Sequence, residues 1–466
     1  MKKTNKLLCL LLVLLMCVGI VACSNNGGGT ENGSTVKKDD KTITSQRGNQ
    51  TEKEEEKSAE LNGTVKVGVI CSLSSTHAAT NGWLMGSLQA TADIVNKNGG
   101  LDGKQLVFEL YDPESDAGTV KQRLTDIKNS GAICAIYGAG DPYSPAAAQW
   151  ALENEFPVFL TCNISTEVTI GNYSDYAFNV GKNAWGFGKI LALYCVGEQG
   201  YKNFCFVGTD GAATIDAENF LIYEGKKINP EFEMLASYRI NFNDTEFSNI
   251  ISAVSALHPQ MVLQQGGGPN FVSFCQQASL FDLFSSCDVY NDLVTDASTN
   301  QPLIEGNEFP YGKTHGVFYM PFWDSEILSG EFGEYVEAYN NSDVAKEKGY
   351  YPGDATTVQY LIMKCMVLAV KDCVDNGKDY TDPKVLAKAI SNVEWEDTLG
   401  KHYFRKGLDN QLTSNLYYGT SAQSDDFPGV AICTEYKVFT PDEYLPTVEE
   451  MKAWGESHNF DVSRFN

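Results

Sequence analysis

The stretch Thr64-Val65-Lys66-Val67-Gly68-Val69-Ile70 is rich in β-branched residues and reads as a strand. From about Gly82 to Asn98 a helical pattern follows, with Leu84, Leu88, Ile94 and Val95 on one broad face. Asn98-Gly99-Gly100 ends it, since glycine accepts the left-handed conformation that a helix C-terminus asks for. Leu106 to Tyr111 supplies the next strand. Strand, covering helix and strand in succession are the unit of a parallel sheet with helices on its faces.

Working outward, the pattern repeats. A helix is expected near Val120, Leu124 and Ile127, a strand at Ala132 to Tyr137, a helix from Ala146 to Glu155 and a strand at Pro157 to Thr161. A second series then starts, with strands at Phe204 to Val207, Met261 to Leu263 and near Val289. Its helices include Glu246 to Leu257, with Phe247, Ile250, Ile251, Val254 and Leu257 on one face. Two series predict two α/β lobes. A later strand, Gly316 to Met320, precedes a long helix from about Ala355 to Val374, which implies a return to the first lobe. No internal repeat occurs at solenoid spacing.

The chain has 466 residues, 43% hydrophobic and 20% charged, enough for a sizeable core. Its formal charge of −25 repels phosphate backbones and argues against nucleic acid as a partner. The first 22 residues carry Lys2, Lys3 and Lys6, no acid, and an apolar run from Leu7 to Ile20, the polarity pattern of an export signal. Ile20-Val21-Ala22-Cys23 resembles the bacterial lipobox, which implies lipidation of Cys23. Residues 24–60 hold Gly27-Gly28-Gly29 and Glu54-Glu55-Glu56 and almost nothing apolar beyond Val36, Ile43 and Ala59. Such a segment is a tether, with a mean reach on the order of 30 Å as a flexible coil. Ser34-Thr35-Val36-Lys37 matches the S-x-x-K of penicillin-recognising enzymes only by chance, because a tether offers no pocket.

Loss of the signal removes three lysines and takes the charge from −25 to −28. Ten cysteines remain besides Cys23, several in apolar strand-like runs, and none in a C-x-x-C pair, so buried free thiols are expected. The five histidines, His77, His258, His315, His402 and His458, are scattered without metal-ligand spacing, and neither a metal nor a cofactor is expected. No G-x-S-x-G, H-E-x-x-H or P-loop supports catalysis.

Further segments carry a resemblance. Ile94-Val95-Asn96-Lys97-Asn98-Gly99-Gly100-Leu101-Asp102-Gly103-Lys104, the acidic loop Tyr111-Asp112-Pro113-Glu114-Ser115-Asp116, Ala177-Phe178-Asn179, Gly316-Val317-Phe318-Tyr319 and Gly400-Lys401-His402-Tyr403-Phe404 follow in a characteristic order. From Leu61 to about Thr440 the chain resembles the type I solute-binding proteins of ABC importers, in the branched-chain amino-acid-binding (Leu/Ile/Val-binding) group and in lipoprotein form. The resemblance implies two Rossmann-like α/β lobes joined by a three-strand hinge, with crossings near Gly181, Pro321 and Gly400. The corresponding domains are a signal peptide at 1–22, an anchored tether at 23–60, the first lobe at 61–181 and 321–400, and the second at 182–320 and 401–466 with the C-terminal tail. It also implies a small polar ligand, an amino acid or a related amide or amine, gripped in the interlobe cleft by hinge closure. The partner would be an ABC permease, the location the outer face of the cell membrane, and the state a monomer. A ligand sensor for a signalling partner and an exported hydrolase are the alternatives.

The cleft of an open α/β sheet lies at the carboxyl ends of its strands. After the third strand, Gly138-Ala139-Gly140-Asp141-Pro142-Tyr143-Ser144 leads into a helix that Ser144 is placed to cap, with Pro145 at its first position. Cys162-Asn163-Ile164-Ser165-Thr166 matches the family segment in which Asn163 or Ile164 gives a carbonyl to the ligand ammonium and Ser165 a hydroxyl to its carboxylate. In the second lobe Asp292 aligns with the acid that pairs with the ammonium, and Asp210 and Gly267 occupy other lining loops. Trp83, Tyr143 and Trp185 are candidate apolar walls, with core packing as the alternative for each. Asp141 falls where relatives often carry a carboxylate-binding serine, and Ala212 near a common stacking tyrosine. Either Ser144 takes the serine's role, or the ligand is not a simple α-amino acid.

Overall fold

The alternation of strands and amphipathic helices builds two sheets in a computed structural model that describes residues 42–43, 61–73, 82–114, 116–138, 143–161, 164–241 and 244–465. The export signal, Cys23 and most of the tether lie outside the described residues. The exception is a short strand β1 (Thr42–Ile43), which pairs antiparallel with the edge of the first sheet and packs Ile43 against the core.

The opening unit folds as β2 (Thr64–Ile70), α1 (Gly82–Lys97) and β3 (Gln105–Tyr111). Gly99 and Gly100 end α1 at φ of 97° and 72°, and the Gly100 amide bonds the Val95 carbonyl at 2.8 Å. Then come α2 (Ala117–Asn129), β4 (Cys134–Tyr137), α3 (Ser144–Asn154), β5 (Val158–Leu160) and β6 (Ala177–Asn179). The first sheet runs β1-β3-β2-β4-β5-β6, parallel except for β1. Helices press tightly on it: a Cβ on Gly68 of β2 would lie 2.4 Å from Ile127 of α2, so only glycine fits there.

The second lobe opens with α4 (Ala184–Leu191), β7 (Asn203–Gly208), α5 (Ala212–Ile228), β8 (Glu233–Arg239), α6 (Ser248–Leu257) and β9 (Met261–Gln265). It continues with α7 (Gly268–Leu280), β10 (Asp288–Tyr290), α8 (Ala297–Glu305) and β11 (Thr314–Phe318). The chain then returns to the first lobe through α9 (Gly330–Asn340), α10 (Asp343–Lys348), α11 (Asp354–Asp375) and α12 (Pro383–Ile390), with α9, α10 and α11 packed on α1. A hairpin follows, β12 (Glu394–Asp397) and β13 (Gly400–Tyr403), and β14 (Leu416–Thr420) and β15 (Tyr436–Phe439) rejoin the second sheet. That sheet is ordered β15-β14-β11-β10-β9-β7-β8, parallel except for β14 and β15.

Between Tyr403 and Leu416 the chain passes from the hairpin, where Gly400 adopts φ of 110°, to the second sheet. The sequence pattern does not predict strand β8, and its half-exposed edge position explains why it lacks an apolar run. The nine described cysteines are all buried, unpaired thiols.

The crossings are bonded to one another. The Tyr319 hydroxyl donates to the Val180 carbonyl at 2.8 Å, and the Gln411 side-chain amide donates to the Gly181 carbonyl at 2.9 Å. Asn179 exchanges backbone bonds with Asn410 and Leu412 at 3.0 and 2.8 Å. At the C-terminus, α13 (Pro441–Tyr444) packs on α4, and α14 (Val448–Ser457) packs on the π-helical turn Glu167–Gly171. The Arg464 guanidinium bonds the carbonyls of Thr169, Ile170 and Leu408, so the tail is stitched to the first lobe near the crossings.

Candidate functional site

Between the lobes lies a cavity of about 510 Å³. Its first-lobe wall is Pro145, Ala146 and Gln149 of α3 with Glu167 and Asn172, and its second-lobe wall is Asp210, Gly211, Ala212 and Ile215. The first turns of α3 and α5 thus face the same space, one from each lobe. Beside the cavity the lobes touch: the buried Asp216 carboxylate of α5 accepts from the Thr166 amide and hydroxyl at 2.5 and 2.8 Å. Burial pushes the Asp216 carboxyl up to about 6 against the pull of those two bonds.

Nearer the hinge sits an ionic cluster built on Lys182, the residue that follows Gly181 in the first crossing. Its ammonium, 7% exposed, lies 2.7 Å from Asp354 Oδ2, 2.9 Å from the Val317 carbonyl and 4.0 Å from Asp292 Oδ2. Asp354 opens α11 and its other oxygen accepts the Tyr319 amide at 2.8 Å. Burial alone would lower the Lys182 pKa, but the Asp354 and Asp292 carboxylates outweigh it and the net shift is upward, so the ammonium stays charged. One buried cation therefore ties together the first crossing, the end of β11, the returning helix α11 and the loop after β10.

The residues expected from the sequence meet different fates. Asp141 and Asn163 lie outside the described residues. Ser144 is buried but does not cap α3: Tyr143 is the last non-helical residue, so Ser144 takes the first helical position and Pro145 the second. Ile164 is tied to the first crossing, its amide donating to the Lys182 carbonyl at 2.8 Å and its carbonyl accepting from Ala184 at 2.9 Å. Ser165 is fully buried, does not line the cavity, and its hydroxyl has no protein partner among the described residues.

Asp210 lines the cavity, largely exposed, with Arg239 Nε at 3.3 Å. Gly267 precedes α7 and its amide is taken by Asn270 Oδ1 at 3.2 Å. Tyr143 and Trp83 are half-buried, and Trp83 Nε1 is a buried donor without a partner among the described residues. Trp185 is core, not cavity wall: it stacks on Phe220 at 4.3 Å, donates to Glu224 at 2.8 Å and clusters with Ile170 and Met451. Its helix buries nearly every side chain, which leaves that ring no open face.

Sequence reasoning missed Lys182, Asp354, Asp216 and Asp296. The lone charged residue in the stretch from Ala177 to Trp185 was a usable signal, since a buried charge demands a partner. Asp296-Ala297-Ser298-Thr299 was another, a capping pattern opening α8.

A family profile described as periplasmic binding protein matches residues 64–426. No curated protein matches the chain. Among solved structures, the solute-binding protein of an ABC transporter from R. palustris in complex with benzoate is 17% identical with a TM-score of 0.67, covering 81% of this chain and 98% of that one. The leucine-, isoleucine-, valine-, threonine- and alanine-binding protein of Brucella ovis, in a closed conformation, is 17% identical with a TM-score of 0.67, over 82% of this chain and 97% of that one. A periplasmic binding protein from Burkholderia mallei is 16% identical with a TM-score of 0.69, over 83% and 97%. At such identities the likeness is one of fold.

Proposed function

The chain belongs to the periplasmic binding protein family, and on that premise we propose that it is the lipid-anchored receptor of an ABC importer, capturing a small polar solute between its lobes and delivering it to a permease. It is a binding protein rather than an enzyme. No helix among the described residues is long and apolar enough to cross a membrane, so in this reading attachment falls to Cys23.

The observation that carries the reading is the cavity walled by both lobes, with the start of one helix from each lobe beside it. A ligand that touches both walls favours the shut arrangement over the open one, which is what capture by hinge closure requires. Helix N-termini favour an anionic group such as a carboxylate. An amino acid or a related amide or amine is the leading ligand class. The benzoate of the R. palustris neighbour is a guest without an ammonium, and aromatic acids therefore stand as the second class.

The test has two arms. A thermal-shift screen of the mature protein over amino acids, amides, polyamines, nucleosides and aromatic acids is expected to give a stabilising ligand, worth about 2.7 kcal/mol at a concentration roughly 100 times its Kd. In cells, Cys23→Ser is expected to move the protein from the membrane fraction to the medium or periplasm. A screen in which no solute shifts the melt counts against capture, and a Cys23→Ser protein still in the membrane counts against the anchor.

A further inference from the structure

The last described segment, residues 441–465, lies beyond the span 64–426 that the family profile matches, so that likeness does not account for it. It touches both lobes. Met451 is buried in one small apolar cluster with Ile170 of the first lobe and Trp185 and Phe220 of the second. On the second lobe, the Trp454 ring lies 4.4 Å from Phe220 and 5.8 Å from Tyr223, and the Glu450 carboxylate accepts from the Lys227 ammonium at 2.8 Å. On the first lobe, the Phe460 ring stands 3.0 Å from where a Cβ on Gly171 would be, and Ile170 stands 3.0 Å from where one on Gly455 would be. Arg464 adds a stack on Tyr173 at 4.6 Å to its bonds with the Thr169 and Ile170 carbonyls.

Both grips fall on elements that wall the cavity. The turn Glu167–Gly171 gives Glu167 to the cavity, and Asn172 follows it there. Val168 of the same turn is buried in a core cluster with Val120 and Trp150, so the turn belongs mechanically to the first lobe. Helix α5 gives Ala212 and Ile215 to the cavity from its start, and Phe220, Tyr223 and Lys227 to the tail from the turns that follow. The tail therefore joins the same two elements that a guest would join, through residues that do not line the cavity.

We infer that residues 447–465 are a brace that ties the two lobes together and limits how far the hinge lets them part. A segment that grips both surfaces favours the arrangement that keeps both within its reach, so parting the lobes has to break one grip. Restraining the opening keeps more of the free protein near the arrangement in which both cavity walls reach one guest. That raises the apparent affinity for whatever solute the cleft takes, because less of the protein has to be recruited from an open form. The brace acts on the hinge and is independent of the chemical class of the guest.

The test needs no ligand. Hydrogen exchange read by mass spectrometry and small-angle scattering are measured on the mature free protein, wild type against Trp454→Ala and Glu450→Gln. Both substitutions weaken the grip on the second lobe, and glutamine at 450 keeps the capping box with Thr447. The readout is on the other lobe, at the amides of Val168, Thr169 and Asn172, which donate to the carbonyls of Ser165, Ser165 and Glu167 at 3.1, 3.1 and 2.6 Å. Exchange there is expected to be at least about fivefold faster in Trp454→Ala and about twofold faster in Glu450→Gln, with β2 and β4 exchanging at the wild-type rate. The radius of gyration is expected to rise in both. A first-lobe turn that exchanges at the wild-type rate in both variants, or a radius unchanged in both, overturns the brace. Faster exchange that also takes in β2 and β4 in both variants overturns it as well, since that reads a loss of stability. If only Trp454→Ala loosens those strands, Glu450→Gln decides. Each of these failures leaves solute capture between the lobes standing.

Discussion

Replacing Lys182 with methionine removes the buried cation of the hinge while keeping a side chain of similar length. The ammonium now sits within 4.0 Å of Asp354 and Asp292 and donates to the Val317 carbonyl, in a position 7% exposed. Without it, two largely buried carboxylates face each other uncompensated and the Val317 carbonyl loses its side-chain donor. Breaking a buried pair by deleting one partner costs about 3–5 kcal/mol, because the surviving charge stays desolvated. With an unfolding entropy of about 2.1 cal/mol/K per residue over roughly 400 folded residues, that is a fall in Tm of about 4–6 °C. The assay is urea unfolding followed by tryptophan fluorescence, with a parallel thermal scan. The double variant Lys182→Met with Asp354→Asn is expected to recover much of the loss, since it deletes the closest stranded charge. A single variant less than about 1 kcal/mol below wild type, or a double variant with additive losses, would refute the view that this cluster is a coupled ionic node.

Two further predictions rest on the contacts between lobes and tail. Asp216 titrates at about 6 in the folded protein against 3.8 for a free aspartate, so the native state holds the proton more tightly. Stability from this group is fully present at low pH and is lost as pH rises from about 4 to about 6, a total of about 3 kcal/mol, with no further loss above. Asp216→Asn, which still accepts from Thr166, is expected to flatten that part of the pH-stability curve; an unchanged slope in denaturation series between about pH 4 and 7 would rule the assignment out. Arg464→Ala removes bonds of 2.8, 3.0 and 3.1 Å to the carbonyls of Thr169, Ile170 and Leu408 and the stack on Tyr173. The expected result is a loss of about 1–3 kcal/mol and earlier proteolysis of the C-terminal tail, and a tail cleaved no faster than in wild type would contradict it.

The architecture was legible because it depends on patterns that survive in one dimension. Buried parallel strands such as β2 and β4 are largely apolar runs, and the Gly99-Gly100 stop of α1 requires a positive φ that few other residues accept. Edge elements were illegible for the converse reason: β8 alternates only weakly between half-buried and exposed, and β1 has only two residues. The site was legible only as loops. That Asp292 lies beside the hinge follows from its place after a central strand. That Lys182, in a lobe-crossing segment far earlier in the chain, would answer its charge depends on where three crossings converge, and no local pattern encodes that convergence. Trp185 shows the same limit from the other side, because an aromatic in a crossing helix has the same sequence signature whether it faces a guest or packs on Phe220.

The central claim, that two lobes close on one small guest, is tested most directly by small-angle X-ray scattering of the mature protein with and without a saturating ligand from the thermal-shift screen. The account predicts a smaller radius of gyration with ligand, reached at the same concentration at which calorimetry shows the site filling. A protein that binds its ligand with calorimetric saturation while its scattering curve stays superimposable on that of the free form would contradict it.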